Sequence, residues 1–192
     1  MERSSDEQLL AAVQAGEMDA LAVLVARHQQ ALTGYLDRLV GPDWALAQDL
    51  VQETFVRVLR QQTCRGARPF RPWLYAIATN LARDHFKSAA VRRASRLTDK
   101  LSAHLVDEDA SPEDQALTTE RGIAIADALG HLSTEYRATL VLRFYTGLSL
   151  QEIADTLEVP LGTVKSRLSV GLRRLREVVI ATAQVEEGAV RR

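Results

Sequence analysis

The chain has 192 residues, of which 46% are hydrophobic and 26% charged, and its formal net charge is −1. These values indicate a soluble, globular protein with room for one large or two small domains. No apolar run approaches the ~20 residues that a membrane-spanning helix needs, and the polar start MERSSDEQLL is unlike a signal peptide. The single cysteine, Cys64, excludes an internal disulfide and indicates a reducing compartment. We therefore predict a cytoplasmic protein without membrane insertion.

Motifs for catalysis and for cofactor binding are missing from the sequence. The four histidines show no metal-ligand spacing, and there is no Gly-rich phosphate loop, nucleophile elbow or dinucleotide fingerprint. The sequence predicts a protein that is not an enzyme, with no catalytic residues, no cofactor and no metal. Cys64 lies near Arg65 and Arg68, so a redox-sensing thiol and an incidental cysteine both stay open.

Helical patterns separated by coil signals follow one another along the chain, and no segment alternates with period two. The predicted fold is therefore all-α, with two helical domains joined by a flexible acidic linker. The helices expected in the N-terminal domain are Asp6–Ala15, Asp19–Val40, Trp44–Gln61 and Trp73 to about Ala90, with Pro72 in the first turn of the last.

The third of these helices has one apolar face and one acidic face. The residues expected to face a core are Leu46, Leu50, Val51, Phe55, Val58 and Leu59. The opposite side carries Asp49, Gln52, Glu53 and Val56, with Arg57 and Arg60 beside them. An acidic patch that includes an apolar residue suits a basic protein surface, and an ordinary solvated face is the alternative.

The fourth helix carries aromatic rings among cations. Its inner stripe is Leu74, Ile77, Ala78, Leu81 and His85. The residues on the opposite face are Tyr75, Thr79, Arg83, Phe86 and Lys87, with Asn80 and Asp84 at its edge. Exposed rings stack on unpaired bases and cations follow the phosphates, so this face suits single-stranded nucleic acid. The alternative is that Tyr75 and Phe86 pack against neighbouring helices.

Periodicity fades after the fourth helix, in a stretch that includes the acidic cluster Asp107–Asp109. We predict an N-terminal domain over residues 1–94, a linker over 95–110, a C-terminal domain over 111–180 and a tail over 181–192. The C-terminal domain is expected to begin with a helix capped by Ser111 and to continue with a buried helix over Ser133–Tyr145.

Two short helices joined by a tight turn follow from Gly147 to Arg176. Ser149 and Glu152 form a capping-box pattern for the first, and Thr163 is the predicted cap of the second. The predicted inner face of the second helix is Val164, Leu168, Leu172, Leu175 and Val179. The predicted outer face is Lys165, Ser166, Ser169, Val170 and Arg173, flanked by Arg167, Arg174 and Arg176.

This layout is typical of the recognition helix of a helix-turn-helix, because cations contact phosphates and Arg forks onto a guanine edge. A solvated amphipathic helix is the alternative. A net charge of −1 is low for a free-standing DNA binder, since phosphate contacts supply most of the affinity. We therefore predict weak binding to naked DNA and a larger partner that holds the chain on the duplex.

Three segments in order resemble a known family over nearly the whole chain. DLVQETFVRVLR at 49–60 is similar to the polymerase-binding helix of bacterial RNA polymerase sigma factors of the extracytoplasmic-function (ECF) group. FRPWLYAIATNLARDHFK at 70–87 resembles the segment of that group that opens and reads the −10 promoter element. SLQEIADTLEVPLGTVKSRL at 149–168 resembles the segment that reads the −35 element.

The resemblance implies a sigma factor that binds core RNA polymerase, through its beta-prime and beta subunits, and directs promoter-specific initiation. It implies docking through Asp49, Gln52, Glu53 and Val56 on a basic helical clamp of beta-prime. The implied residues at the melted −10 strand are Tyr75, Thr79, Asn80, Arg83, Asp84, Phe86 and Lys87, with one base turned out near Asn80. The implied −35 residues are Thr163, Lys165, Ser166, Arg167, Ser169 and Arg173. A separate anti-sigma factor is the usual control in this group, and retention of the otherwise cytoplasmic chain at the membrane by such a factor stays open.

Some positions depart from the pattern of the group. Glu158 stands where Gly is frequent, Ser133 where Pro often follows the leucine, and Val170 and Gly171 where basic or small residues are common. Two other functions stay open on the residues alone. One is a stand-alone helix-turn-helix regulator with a dimerisation domain, and the other is a helical adaptor that only titrates polymerase or an inhibitor.

Overall fold

The structure is a computed structural model that describes residues 4–41, 43–60, 69–96 and 120–190, with side chains described outside 90–96, 120–124 and 182–190. Within those residues it contains eight helices and no strand, so the predicted all-α class is confirmed. They are α1 (Asp6–Gln14), α2 (Met18–Val40), α3 (Trp44–Arg60), α4 (Phe70–Arg96), α5 (Glu120–Gly130), α6 (Thr134–Phe144), α7 (Leu150–Leu157) and α8 (Leu161–Val190).

Two helices begin with a complete capping box. In α7 the Ser149 hydroxyl accepts from the Glu152 N–H at 3.2 Å, and the Glu152 carboxylate accepts from the Ser149 N–H at 2.7 Å. This arrangement satisfies two backbone donors that a helix start leaves free, and it confirms the predicted start of α7. Ser5 and Gln8 form the same motif at α1.

Two helices, α4 and α8, begin three residues earlier than predicted. The start of α4 is Phe70, because the Glu7 carboxylate of α1 accepts from the Phe70 N–H at 3.1 Å and so caps α4 from another helix. Pro72 still lies in the first turn, as predicted. Helix α8 begins at Leu161, so Thr163 is its third residue and the prediction that Thr163 caps it is wrong.

The linker and the first C-terminal helix lie largely outside the described residues. Helix α4 continues through Arg96, so the first two residues assigned to the 95–110 linker are helical. The rest of that range, the Ser111 cap and Cys64 are not described. The helix predicted over Ser133–Tyr145 is one residue shorter at each end, because Ser133 and Tyr145 are its capping residues, and the Ser133 side chain makes no capping hydrogen bond.

Helices α1 to α4 pack on one another, as do helices α5 to α8, and the two groups of helices are in contact. Helix α2 packs on α1, α3 and α4, while α8 packs on α5, α6 and α7. Helix α4 also packs on α7, and α2 on α6, so the buried apolar residues form one continuous cluster across both domains. The sequence did not predict this contact between domains.

Among the described residues, no helix is long and apolar enough to cross a lipid bilayer.

Candidate nucleic-acid and protein interfaces

One face of α3 carries the acidic residues that the sequence assigns to docking. Asp49 and Gln52 are exposed, and the Glu53 side chain is 43% exposed. Glu53 accepts a hydrogen bond from Arg57 at 3.2 Å, one helical turn on, which offsets part of its charge. Asp49 is therefore the strongest negative group of this face toward a basic partner.

An apolar groove between α2 and α3 adjoins that acidic face, and it was not predicted from the sequence. Val56 is 36% exposed at its edge, and Leu59 is 40% exposed, so the prediction that Leu59 faces the core is wrong. The groove has a volume of about 280 Å³ and is lined by Leu21, Val25, Gln29, Val51, Gln52, Phe55, Val56 and Leu59. The residues of α2 that line the groove could not be predicted from the sequence pattern of α3, because only the packing of the folded chain brings the two helices together.

Two residues predicted on the exposed face of α4 are buried. Tyr75 is 2% exposed and Thr79 is fully buried, so their predicted exposure is wrong. The Thr79 hydroxyl donates to the Tyr75 carbonyl at 2.6 Å and lies 2.7 Å from the Tyr35 hydroxyl. The rings of Tyr35 and Tyr75 meet edge to face at 5.1 Å, and burial raises the pKa of Tyr75. Packing of α4 on α2 explains both positions.

The other residues assigned to the −10 strand lie along the second half of α4. Asn80, Asp84 and Lys87 are exposed, while Arg83 and Phe86 are half-buried. The Phe86 ring meets His85 edge to face at 6.3 Å. This edge of α4 presents an amide, two cations and a carboxylate beside a partly accessible ring, a set that suits unpaired bases and phosphates.

Helices α7 and α8, with the turn between them, form the helix-turn-helix that the sequence predicts. Glu158 has φ 54° and ψ 45°, the left-handed conformation that reverses the chain after α7. Ile153, Leu157 and Val164 are buried and hold α7 against α8. The rigid pair of helices positions the outward side chains of α8 as one surface.

Most of the predicted outer face of α8 is open. Lys165, Ser166, Ser169 and Arg173 are exposed, and Thr163 is half-buried. The Ser166 hydroxyl donates to the Thr163 carbonyl at 3.0 Å. The exposed set combines two cations with two small hydroxyl side chains, which allow close approach to a duplex groove.

Arg167 points toward α6 instead of outward. Its Nη2 donates to the Glu135 carboxylate at 2.9 Å, and the side chain is only 16% exposed. Leu172 is 44% exposed, so its predicted place on the inner face is wrong. The reason is Gly171: it faces α6 so closely that a Cβ there would lie 3.3 Å from the Leu140 side chain. This close approach turns the inner face of α8 toward Arg167 and away from Leu172.

In the described part of the chain, no three His, Cys, Asp or Glu side chains come together as metal ligands would.

Comparison with known proteins bears on both domains. Residues 24–92 match the model of Sigma-70 region 2, and residues 128–177 match the model of Sigma-70, region 4. The ECF RNA polymerase sigma factor SigL of Mycobacterium tuberculosis is 38% identical over 164 residues, which are 84% of this chain and 90% of SigL. The ECF RNA polymerase sigma-E factor of Haemophilus influenzae is 32% identical over 186 residues, 93% of this chain and 95% of its own.

Solved structures show the same fold. CnrH in complex with the cytosolic domain of CnrY matches with a TM-score of 0.66 and 28% identity, covering 93% of this chain and 99% of CnrH. The sigma factor RpoE of Bartonella quintana, solved with the anti-sigma factor NepR, matches with a TM-score of 0.59 and 24% identity. It covers 82% of this chain and 95% of RpoE.

The fold defines the class of the protein as two-domain and all-helical, with a helix-turn-helix in the C-terminal domain. The family matches are more specific, and the chain belongs to the ECF sigma factors of bacterial RNA polymerase. Sigma factors are transcription initiation factors, not enzymes, and they bind core RNA polymerase and promoter DNA.

Proposed function

We propose that this chain is a dissociable specificity subunit that reads the −35 and −10 elements and captures the melted non-template strand. The observation that carries the proposal is the presence of three separate exposed surfaces, on α3, α4 and α8, in a chain whose net charge is only −1. Each surface is small and each contact weak. Tethering all three through one polymerase converts them into strong attachment, because the later contacts form at a high effective concentration.

The polymerase contact is assigned to the acidic face of α3 and the groove beside it. Asp49, Gln52 and Glu53 offer negative and polar groups to a basic helical element of beta-prime, with beta as a second contact. Val56 supplies an apolar centre that such an interface can desolvate.

The −10 contact is assigned to Asn80, Arg83, Asp84, Phe86 and Lys87 of α4. A non-template base turned out of the stack costs a few kcal/mol, and hydrogen bonds near Asn80 together with stacking offset that cost. Duplex opening then follows from preferential capture of the unpaired strand.

The −35 contact is assigned to the exposed side chains Thr163, Lys165, Ser166, Ser169 and Arg173 of α8. Arg167 belongs to this set by resemblance, and its pairing with Glu135 supports a role in holding α8 in place.

The solved relatives complexed with CnrY and with NepR support a separate anti-sigma protein as a further partner in the cytoplasm.

Run-off transcription with core RNA polymerase on a library of genomic promoters tests the proposal. We expect the purified chain to produce transcripts from a small set of promoters that share −35 and −10 sequences. A chain without effect on transcription, but with tight binding to a palindromic duplex in the absence of polymerase, would instead be a stand-alone regulator.

A further inference from the structure

We infer that Tyr35 of α2 and Thr79 of α4 are positioning residues for strand capture. Their buried hydrogen bond fixes the rotation of α4 about its own axis, and so fixes where Asn80 and Arg83 lie toward the melted strand. This inference deepens the proposed function and rests on it for the role of Asn80 and Arg83. The hydrogen bond itself lies within the N-terminal domain.

The hydroxyls of Tyr35 and Thr79 form a polar contact inside the apolar core. Both residues are fully buried, and the two hydroxyl oxygens lie 2.7 Å apart. The Thr79 hydroxyl donates its hydrogen to the Tyr75 carbonyl at 2.6 Å, so the Tyr35 hydroxyl is the donor toward Thr79. Burial raises the pKa of Tyr35, despite the hydrogen bond with Thr79 and the charge of Arg83, and the phenol therefore keeps the proton that it donates.

This contact restricts α4 in a way that apolar packing does not. The other buried residues of this part of α4, Ala78, Leu81 and Ala82, are apolar, and their contacts are non-directional. A hydrogen bond requires a distance and an angle. If α4 turned about its axis, the Tyr35 hydroxyl would lose its acceptor while buried, which is unfavourable. The hydroxyl pair therefore selects one rotation of α4 on α2.

The rotation of α4 matters because residues assigned to the −10 strand directly follow Thr79. Asn80 is the next residue, and Arg83 lies one helical turn on, on the same side of the helix as Thr79. Side chains end about 5–6 Å from a helix axis, so a turn of about 20° moves them by about 2 Å. A shift of that size breaks a hydrogen bond to a base.

The same contact gives a role to two residues that belong to the −10 set by resemblance but are buried. Tyr75 is 2% exposed and Thr79 is fully buried, so a DNA strand cannot reach either side chain. The Tyr75 ring meets the Tyr35 ring edge to face at 5.1 Å, and its carbonyl accepts from Thr79. Both residues therefore act on the strand through the placement of Asn80 and Arg83.

Four variants separate this role from stability. Tyr35→Phe removes the donor and leaves the Thr79 hydroxyl bonded to Tyr75, and Thr79→Val removes the acceptor with a side chain of similar shape. Thr79→Ser keeps the hydroxyl. Thr54→Val is the matched control, because Thr54 is also fully buried and its hydroxyl donates only within its own helix, to the Leu50 carbonyl at 2.6 Å.

The measurement is the affinity of the full chain, bound to core RNA polymerase, for forked promoter DNA with an unpaired non-template −10 overhang. The promoter is one that wild type selects in run-off transcription. A second fork carries the same overhang with the −10 sequence scrambled, and the ratio of the two Kd values is the discrimination. Loss of folded chain weakens both affinities equally, so a purely structural effect leaves this ratio unchanged.

We expect Tyr35→Phe and Thr79→Val to lower the discrimination about fivefold, while Thr79→Ser and Thr54→Val keep the wild-type ratio. The double variant Tyr35→Phe/Thr79→Val should lose no more than either single variant, because both remove the same contact. Unchanged discrimination in Tyr35→Phe and Thr79→Val, or an equal loss in Thr54→Val, would overturn the inference. A wild-type complex that initiates from no promoter, or that binds both forks equally, would refute the proposed function itself, and the inference with it.

Discussion

Glu158 has a backbone conformation that is unfavourable for any residue with a Cβ atom. It adopts the left-handed conformation, with φ 54°, at the position where the resemblance to the family led us to expect Gly. A residue with a Cβ is strained there by about 1 kcal/mol. The sequence identified the position, and the structure shows that the strain is present.

Glu158→Gly should raise the free energy of unfolding by about 0.5 kcal/mol, because the relieved strain of about 1 kcal/mol exceeds the cost of the extra freedom of Gly in the unfolded chain. Urea denaturation measures it. Glu158→Ala is the control, since it removes the charge and keeps the strain. Equal stabilisation by Ala and Gly would contradict the backbone explanation.

Glu152 links the stability of the helix-turn-helix to pH. Its hydrogen bonds with the Ser149 backbone and hydroxyl lower the pKa of the carboxyl below its usual 4.5. A pKa that is lower in the folded state adds stability above the unfolded value, and that stability is lost as the pH falls through the folded value.

Glu152→Gln keeps a capping acceptor and removes the titrating charge. We expect it to lose less stability than wild type between about pH 5 and pH 3, measured by urea denaturation at each pH. The exposed Glu177→Gln should behave like wild type. A Glu152→Gln profile as steep as that of wild type would exclude this role.

Arg167 and Arg173 lie on one helix and should separate stability from DNA recognition. Arg167→Ala removes a side chain that packs on α6 and pairs with Glu135, and should cost about 1 kcal/mol of folding stability. The exposed Arg173→Ala should change stability by less than about 0.5 kcal/mol and weaken promoter binding by the polymerase complex. Thermal unfolding and fluorescence anisotropy measure the two effects. Unchanged stability in Arg167→Ala with altered −35 preference would make Arg167 a base reader.

At the scale of single helices, α3 carries the proposed polymerase contact. Asp49→Lys should weaken binding to core polymerase at least tenfold, about 1.4 kcal/mol, because like charges then face each other. Surface plasmon resonance with immobilised core polymerase measures this change. Asp19→Lys reverses an exposed charge at the start of α2 and should bind like wild type. Equal loss in both variants would indicate a general charge effect.

Helix positions could be predicted from local patterns, and helix faces only in part. The capping box of α7 follows from two residues three apart, so its start was predicted correctly. The start of α4 depends on Glu7, a residue of another helix, and local patterns cannot contain that information.

Faces were misassigned where a neighbouring helix decides burial. Tyr75 and Thr79 were predicted to be exposed because they lie on the polar face of α4. In the structure, Tyr35 of α2 packs against both. On α8, the small Gly171 lets α6 approach and rotates the inner face, which periodicity of apolar residues alone does not reveal.

At the scale of the whole molecule, the sequence predicted two domains but not their contact. That contact depends on single features far apart in the chain: a guanidinium at Arg137 that reaches a carbonyl at Leu39, and a glycine at Gly34 that leaves room for the Tyr145 hydroxyl. None of these features has a local signature.

The near-neutral charge of the whole chain indicates that the polymerase, and not the chain alone, supplies most of the affinity for the promoter. With few uncompensated cations, the chain alone should bind duplex DNA about as weakly as non-specific binders do, with Kd of about 10⁻⁴–10⁻⁶ M at physiological salt. Polymerase should add affinity by holding both promoter contacts at once, by a factor of about 10² or more.

The most direct test is the anisotropy of a labelled promoter duplex with both elements, titrated with the chain alone and with the chain bound to core polymerase. The account predicts micromolar or weaker binding by the chain alone, and binding at least about a hundredfold tighter in the complex. Nanomolar binding by the isolated chain that core polymerase leaves unchanged would contradict it.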